Sequence, residues 1–395
     1  MQKKLIALAV ASLAAGSAFA QSNVTITGLA AISYNNYKVT DTARFAATEN
    51  RLDDNTSRFT IKGSEDLGGG LSAYFQFENR VSLDTRPNAT FGNTQGLGDG
   101  ESFVGLKHKD LGSVGFGKFA MHYHEGMGYS ESYRALQTQM YASAGILGQV
   151  GWNNASNLNY IAGSTRQQNT MKYDSPNWNG FTFKAAYSFS NFGNEGTLTN
   201  TGLTGGASNQ YGGTVAAATN DEYNKGYGYN IAGRYNNGPI NVLLSYFRFK
   251  PENGTRFFGQ ESWKLHADYK FGFGLKVGLG YDNSTIEQAL SADDRKRTAW
   301  MIPISYSFGQ HAVYLTYAKA NSMDNISNSG ARQYTVAYDY AFSKRTFAGA
   351  SYVNLANQKN AAYTPWLSGI STLGGSGLLM GENARILSFN LTHFF

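Results

Sequence analysis

Apolar and polar side chains alternate with a period of two in segments that recur from Val24 to the last residue of this chain, separated by turns and polar loops. Such a period places successive side chains on opposite faces of extended backbone. VTITGLAAISY puts Val24, Ile26, Ala30, Ile32 and Tyr34 on one face and Thr25, Thr27 and Ser33 on the other. LSAYFQFENR sets Leu71, Ala73, Phe75 and Phe77 against Ser72, Tyr74, Gln76, Glu78 and Arg80. FTFKAAYSF and WKLHADYKF repeat the pattern around Lys184 and around Lys264, His266, Asp268 and Lys270. The chain stops on SFNLTHFF, where Leu387, Phe389, Leu391 and His393 share one face and Ser388, Asn390 and Thr392 the other.

The connections alternate as well. Short turns fall at 66–70, 109–112, 175–180, 236–239, 272–274, 308–310 and 342–345. Long polar loops fall at about 39–55, 82–99, 119–168, 190–226, 251–259, 283–296, 320–331 and 356–384. Seven short turns and eight long loops join sixteen strands, and an even number returns both ends to the short-turn side. The expected fold is all-β, a closed transmembrane antiparallel barrel of 16 strands. A final strand ending on Phe395 suits it, because that strand must pair with the first and show an apolar face to lipid. A large soluble sandwich would also alternate, but it explains neither the turn lengths nor the apolar terminus. Pro303 lacks a donor, so AWMIPISY requires a bulge or locally open pairing.

Cost decides which face meets lipid. A Lys or Arg at the bilayer midplane costs about 2–4 kcal/mol, so the Phe, Leu, Val and Tyr faces point outward and the charged faces inward. Tyr34, Tyr187, Tyr281, Tyr306 and Tyr317 then form interfacial girdles. Met1–Ala20, with Lys3, Lys4, an apolar run and Ala18-Phe19-Ala20, reads as an export signal cleaved before Gln21. Residues 21–395 then form one barrel domain. Without cysteine, that barrel closes through hydrogen bonds and packing alone. Loss of the two leader lysines leaves 31 basic against 27 acidic side chains, with no basic stripe for nucleic acid.

Five stretches resemble the trimeric, sixteen-stranded general porins of Gram-negative outer membranes. They are RFTIKGSEDLGGGLSAYFQFE (58–78), SFVGLKHKDLGSVGFGK (102–118), NTMKYDSPNWNGFTFKAAYSF (169–189), AYDYAFSKRTFAGASY (337–352) and SFNLTHFF (388–395). The resemblance implies a homotrimer in outer-membrane lipid and lipopolysaccharide, passing small hydrophilic solutes and ions passively. It implies recognition of Phe395 by the barrel-assembly machinery, and a third loop folded inward to narrow the pore. The chain departs from the family's pattern at Lys118-Phe119, where arginine and glutamine are common, and at His393, where an aromatic is more usual.

The third loop is by far the longest and carries Glu125, Glu131, Arg134 and Arg166. Facing it by parity are Arg58, Lys62, Glu78, Arg80, Lys107 and Lys184, while Lys118 shares the outward parity of Val114 and Phe116 unless a bulge intervenes. Bases opposite loop carboxylates set a transverse field that weights permeation by charge, here toward anions. The plainer alternative leaves these bases solvating the mouths. His122, His124 and Glu125 lack a third well-placed metal ligand, GSEDLGGG reads as a turn, and Asp293, Asp294, Arg295, Lys296 and Arg297 read as a solvated rim. No cofactor is expected. A barrel enzyme would need a nucleophile, histidine and carboxylate on one rim, and none of the six histidines sits in such a motif. A substrate-selective porin, or a receptor or adhesin using the long loops, is the alternative to a general channel.

Overall fold

The computed structural model describes residues 23–43, 47–55, 57–84, 98–122, 146–149, 166–189, 226–251, 259–287, 294–365 and 378–395. The strands are β1 (Asn23–Thr40), β2 (Thr48–Asp54), β3 (Arg58–Gly68), β4 (Leu71–Arg80), β5 (Ser102–His108) and β6 (Gly112–Ala120). β7 (Arg166–Asp174), β8 (Phe181–Ser188), β9 (Gly226–Asn237), β10 (Ile240–Pro251), β11 (Gln260–Lys270) and β12 (Leu275–Ile286) follow. The series ends with β13 (Arg295–Phe308), β14 (His311–Ala320), β15 (Ala331–Ala341), β16 (Thr346–Asn357) and β17 (Asn383–Phe394). Among the described residues no helix is long and apolar enough to cross a membrane; the strands do the crossing.

All pairings are antiparallel, and β17 returns to β1 from Leu29↔Phe394 to Thr40↔Asn383. The sheet is therefore closed and has no edge to leave unpaired in lipid. Seventeen segments make sixteen staves, because β2 and β3 are one stave broken at 55–57. β1 pairs with both halves, from Lys38↔Thr48 to Ile32↔Asp54 and from Leu29↔Arg58 to Asn23↔Ser64. Ser57 bridges the gap: its Oγ accepts from the Ala31 N–H (3.0 Å) and donates to the Ala31 carbonyl (3.2 Å). The first long loop expected at 39–55 is consequently shorter, since Thr48–Asp54 belongs to the wall. The loop 283–296 shrinks for the same reason: β12 runs on to Ile286 and β13 begins at Arg295.

Pro303 is accommodated by open pairing. β12 and β13 are in register at Val277↔Ile304 and again at Gly280↔Met301, with no pairs between, while Pro303↔Thr316 keeps the other side continuous. The short turns are tight. At Gly274 (φ 97°) an added Cβ would lie 2.3 Å from the Ser307 carbonyl oxygen, so only glycine fits there.

The apolar faces look outward. Val24, Ile26, Phe77, Val104, Phe116, Leu244, Leu315, Leu387, Phe389 and Leu391 are exposed, whereas Ser388, Asn390 and Thr392 are buried inside. Aromatic rings meet in two belts. Tyr306–Phe308 (5.3 Å) and Tyr340–Phe342 (5.1 Å) lie at the short-turn end. Tyr246–Trp263 (4.5 Å), Trp300–Tyr317 (5.1 Å) and Tyr317–Tyr334 (4.8 Å) lie at the long-loop end. Such belts mark the two water–lipid boundaries of a barrel.

Candidate functional site

Register brings the first group of charges together. β3 and β4 set Arg58 opposite Arg80, Thr60 opposite Glu78 and Lys62 opposite Gln76, all on the face away from Ile61 and Phe77. The Glu78 carboxylate then gathers three guanidinium groups: Arg166 at 2.8 Å, Arg80 at 2.9 Å and Arg58 at 3.7 Å. Three guanidinium charges meet the Glu78 carboxylate, with Asp99 beside Arg80 as a second acidic neighbour, so positive charge stays in excess at this point of the wall. The three arginine side chains keep about a fifth of their surface open to water, so the excess is presented to the lumen. Gly100 lies against Glu78, where a Cβ would fall 2.3 Å from Oε1, and its N–H donates to the Glu78 carbonyl (2.9 Å).

The long connection after β6 turns inward. Phe119 stacks on Phe103 (4.7 Å), and Met121 is buried with Phe247 and Phe249 of β10. His122 is fully buried, with Nδ1 2.9 Å from Ser245 Oγ and Nε2 2.8 Å from Ser262 Oγ. Lys264 donates to the His122 carbonyl. Burial and the Lys264 charge hold the imidazole well below its usual pKa, so it stays neutral between the two hydroxyls. Both ring nitrogens are thus spent on the wall of β10 and β11.

The same connection docks a second time. Its turn Ile146–Gly148 rests on the inside of β12 and β13, where Arg297, 1% exposed, holds Asp282 at 2.7 Å. Arg297 also donates to the carbonyls of Leu147 (2.9 Å), Ile146 (3.4 Å) and Gln149. Gln149 in turn grips the last long loop: its amide donates to the Thr364 carbonyl (2.6 Å) and its Oε1 accepts from the Thr364 N–H (2.8 Å). Ala361, Ala362 and Tyr363 are fully buried beside it. Ile146 and Leu147 find room because inward positions nearby are small or aliphatic: Ala299, Ala318, Ala320 and Ala331.

A closed barrel with water-facing charges and an inward connection is pore architecture, and sequence comparison decides the family. The profile of the Gram-negative porin family matches residues 7–360. The chain belongs to the Gram-negative porins. This porin is 28% identical to outer membrane porin protein 32 of Delftia acidovorans, each chain covered over its whole length. It is 26% identical to an outer membrane porin protein of Bordetella pertussis, over 92% of this chain and 97% of that one. Its fold matches an anion-selective porin from Comamonas acidovorans (TM-score 0.65, 22% identity, covering 95% and 100%). It also matches OmpF of Salmonella typhi (TM-score 0.60, 15% identity, covering 94% and 97%). The protein is therefore an outer-membrane barrel whose water-filled channel passes small hydrophilic solutes and ions passively.

The porin wall places the remaining bases at other heights. Lys62 lies below the arginine cluster, toward the short turns. Lys107 is one residue from the end of β5, opposite Ser72 and Ser113. Lys184 pairs with Asp174 (3.5 Å), which also holds Lys172 (3.6 Å), three residues into β8. Lys118 sits at the bulge between Gly117 and Phe119 and donates to the Gly98 carbonyl (3.1 Å). Glu125, Glu131, His124 and Arg134 lie outside the described residues. Arg297, read from sequence as a solvated rim residue, is instead a buried anchor; Arg295 and Lys296 also belong to β13. Alanines recurring at lumen parity on β13, β14 and β15 were the available signal, because a wet wall has no reason to be apolar there.

Proposed function

We propose that the channel prefers anions mildly, and that the three arginines on Glu78 set this preference at the narrowed part of the pore. Lys62 adds to the same field, and the Glu125 and Glu131 carboxylates of the long connection oppose it. Lys107 and Lys184 act near the short-turn mouth as a weaker collecting field. At physiological salt the Debye length is about 8 Å, so charges lining the narrows count most. The anion selectivity of the Comamonas acidovorans porin, whose fold this chain shares, supports this reading.

Reversal potential in a KCl gradient tests it. The native channel is expected to lean toward chloride. Glu78→Gln removes the carboxylate that the three arginines share and is expected to raise the chloride-to-potassium permeability ratio about tenfold, since a unit charge near 6 Å in water shifts the two ions by about 0.7 kcal/mol in opposite directions. Arg80→Gln with Arg166→Gln is expected to lower the ratio below the native value. A native preference for potassium, or no response to any of these changes, overturns the assignment.

Export with cleavage after Ala20, assembly as a homotrimer, and delivery through recognition of Phe395 by the barrel-assembly machinery complete the proposal. Solute selectivity is a second reading favoured by the last long loop, whose Ala361–Thr364 segment is packed against the inward turn. Liposome swelling with neutral and charged solutes of graded size separates the two: a smooth fall with size supports a general channel, and one favoured solute supports selectivity.

A further inference from the structure

The residue at which the long connection enters the barrel is both strained and buried. His122 has φ 54°, the left-handed region that residues other than glycine adopt at a cost. Its N–H donates to Asn230 Oδ1 (3.4 Å), its carbonyl accepts from Lys264, and its ring nitrogens meet Ser245 and Ser262. Donor counting fixes the direction of the side-chain bonds. The Asp282 carboxylate, paired with Arg297, can only accept, so Ser262 spends its proton on Asp282 Oδ2 (2.8 Å). Ser262 must then accept from His122 Nε2–H, which leaves Nδ1 with its lone pair. On that side the Asn230 amide donates to Ser245 Oγ (2.9 Å) and to the Tyr246 carbonyl (2.8 Å), so Ser245 gives its own proton to Nδ1. The network suits one tautomer of the neutral ring.

A second proton fits it badly. An Nδ1–H would point at Ser245 Oγ and deprive that hydroxyl of its acceptor. The new charge would also be shut away from water, since the ring is fully buried. β9 and β10 bring Asn230, Ser245 and Phe247 to the ring, none of them ionic. β11 brings Lys264, a like charge on the His122 carbonyl, with His266 at the next inward position bound to Asp268 (3.0 Å). β12 brings Asp282, which Arg297 of β13 and the hydroxyls of Ser262 and Ser284 already engage. Burial and Lys264 thus hold the docked ring well below its ordinary pKa. A ring released into water titrates near its usual value of about 6.5.

We propose that His122 is an acid-operated latch: a proton taken up on Nδ1 breaks the bond from Ser245, sets a cation beside Lys264 and frees the start of the inward connection from β10 and β11. The backbone strain at His122 is relieved by the same step. Arg297 still holds the turn at Ile146–Gly148, so the connection swings about its second anchor and the current flickers. The sign follows from the ring's preference. Above about pH 6.5 the ring is neutral in both states and docking is at full strength; as pH falls, only the released ring takes up the proton. Release then gains about tenfold for each pH unit, until the docked ring itself titrates. The proposal rests on the channel assignment but not on the pore's anion preference.

The test records single channels of the full-length mature protein in planar bilayers at fixed salt, from about pH 7.5 down to about pH 5. Native current is expected to be quiet at the upper end and to spend about tenfold more time in substates for each unit below about pH 6.5. His122→Gln has no proton to gain, so its noise, whatever its level at neutral pH, should not change with pH. Ser245→Asp faces Nδ1 with a carboxylate and favours the docked imidazolium, so its current should become quieter in acid. His311→Gln, which removes a histidine at the short-turn end of β14, should respond like the native channel. Native current indifferent to pH overturns the proposal, as does a native response retained by His122→Gln or by Ser245→Asp. Reversal potential is read on the same channels. Loss of the pH response with chloride preference intact indicts the latch alone, and potassium preference with the response intact indicts only the selectivity reading. Absence of conductance from every sample would indict the channel itself.

Discussion

Replacing Arg297 with methionine is expected to release the inward turn Ile146–Gly148 and to turn a steady conductance into a noisy one with larger substates. The native guanidinium is sealed from water and holds Asp282 together with three backbone carbonyls of the crossing connection. Removing one partner of a buried pair strands the other and costs about 3–5 kcal/mol. Here the loss falls on the docking of the turn, because the ladder pairs of β12 and β13 do not depend on that side chain. The Gln149–Thr364 bonds would loosen with it, since Gln149 is held by the same arginine. Arg297→Met combined with Asp282→Leu removes both charges. It should recover thermal stability while the current stays noisy, because the turn's carbonyls still lack their donor. Single-channel records in planar bilayers check both variants, and quiet, native-like current from Arg297→Met would sink the anchoring argument.

Deleting Phe395 is expected to reduce the amount of barrel in the membrane far more than deleting a long-loop residue such as Asn328. Phe395 closes the ring beyond Phe394: its N–H donates to the Gly28 carbonyl (3.1 Å), and its own carbonyl accepts from the Gly28 N–H (2.9 Å). Its side chain lies over Gly28, where a Cβ would fall 2.1 Å from the ring. Unsatisfied backbone groups facing lipid cost several kcal/mol each, so the closing seam is a costly place to lose two bonds. Gly28→Val attacks the same seam from the other strand by displacing the ring. Refolding purified protein into detergent separates closure from recognition by assembly machinery. If closure dominates, both the deletion and Gly28→Val refold poorly in detergent and accumulate poorly in cells. If recognition dominates, the deletion refolds normally and fails only in cells. Equal surface yields of the Phe395 and Asn328 deletions would remove the terminal strand from the explanation altogether.

Side-chain parity carried most of what could be read ahead of the fold. Counting by twos puts Arg58, Lys62, Glu78 and Arg80 on one face of neighbouring strands, and the register of β3 and β4 brings Arg58, Glu78 and Arg80 together there. Turn and loop spacing anticipated the sixteen staves, and side-chain alternation the outward terminal face of Leu387, Phe389 and Leu391. It also located the difficulty at Pro303, which the sheet meets with open pairing toward β12. Where strands end was less legible. Thr48–Asp54 is polar enough to resemble loop, yet it belongs to the wall because β1 offers it an unpaired ladder.

What the amino-acid order determined by itself is the wall: alternation, turn lengths and an apolar terminus, all local properties that lipid converts into a closed ring. What only the tertiary structure decided is the contents of the ring. Arg166 meets Glu78, His122 meets Ser245 and Ser262, and Arg297 meets the turn at Ile146–Gly148 across separations of 88 to 151 residues. Such meetings depend on which parts of opposite walls a crossing segment can reach, and on whether small residues such as Ala299 and Ala318 leave it space. No period in the sequence encodes that, because the partners share neither a strand nor a turn.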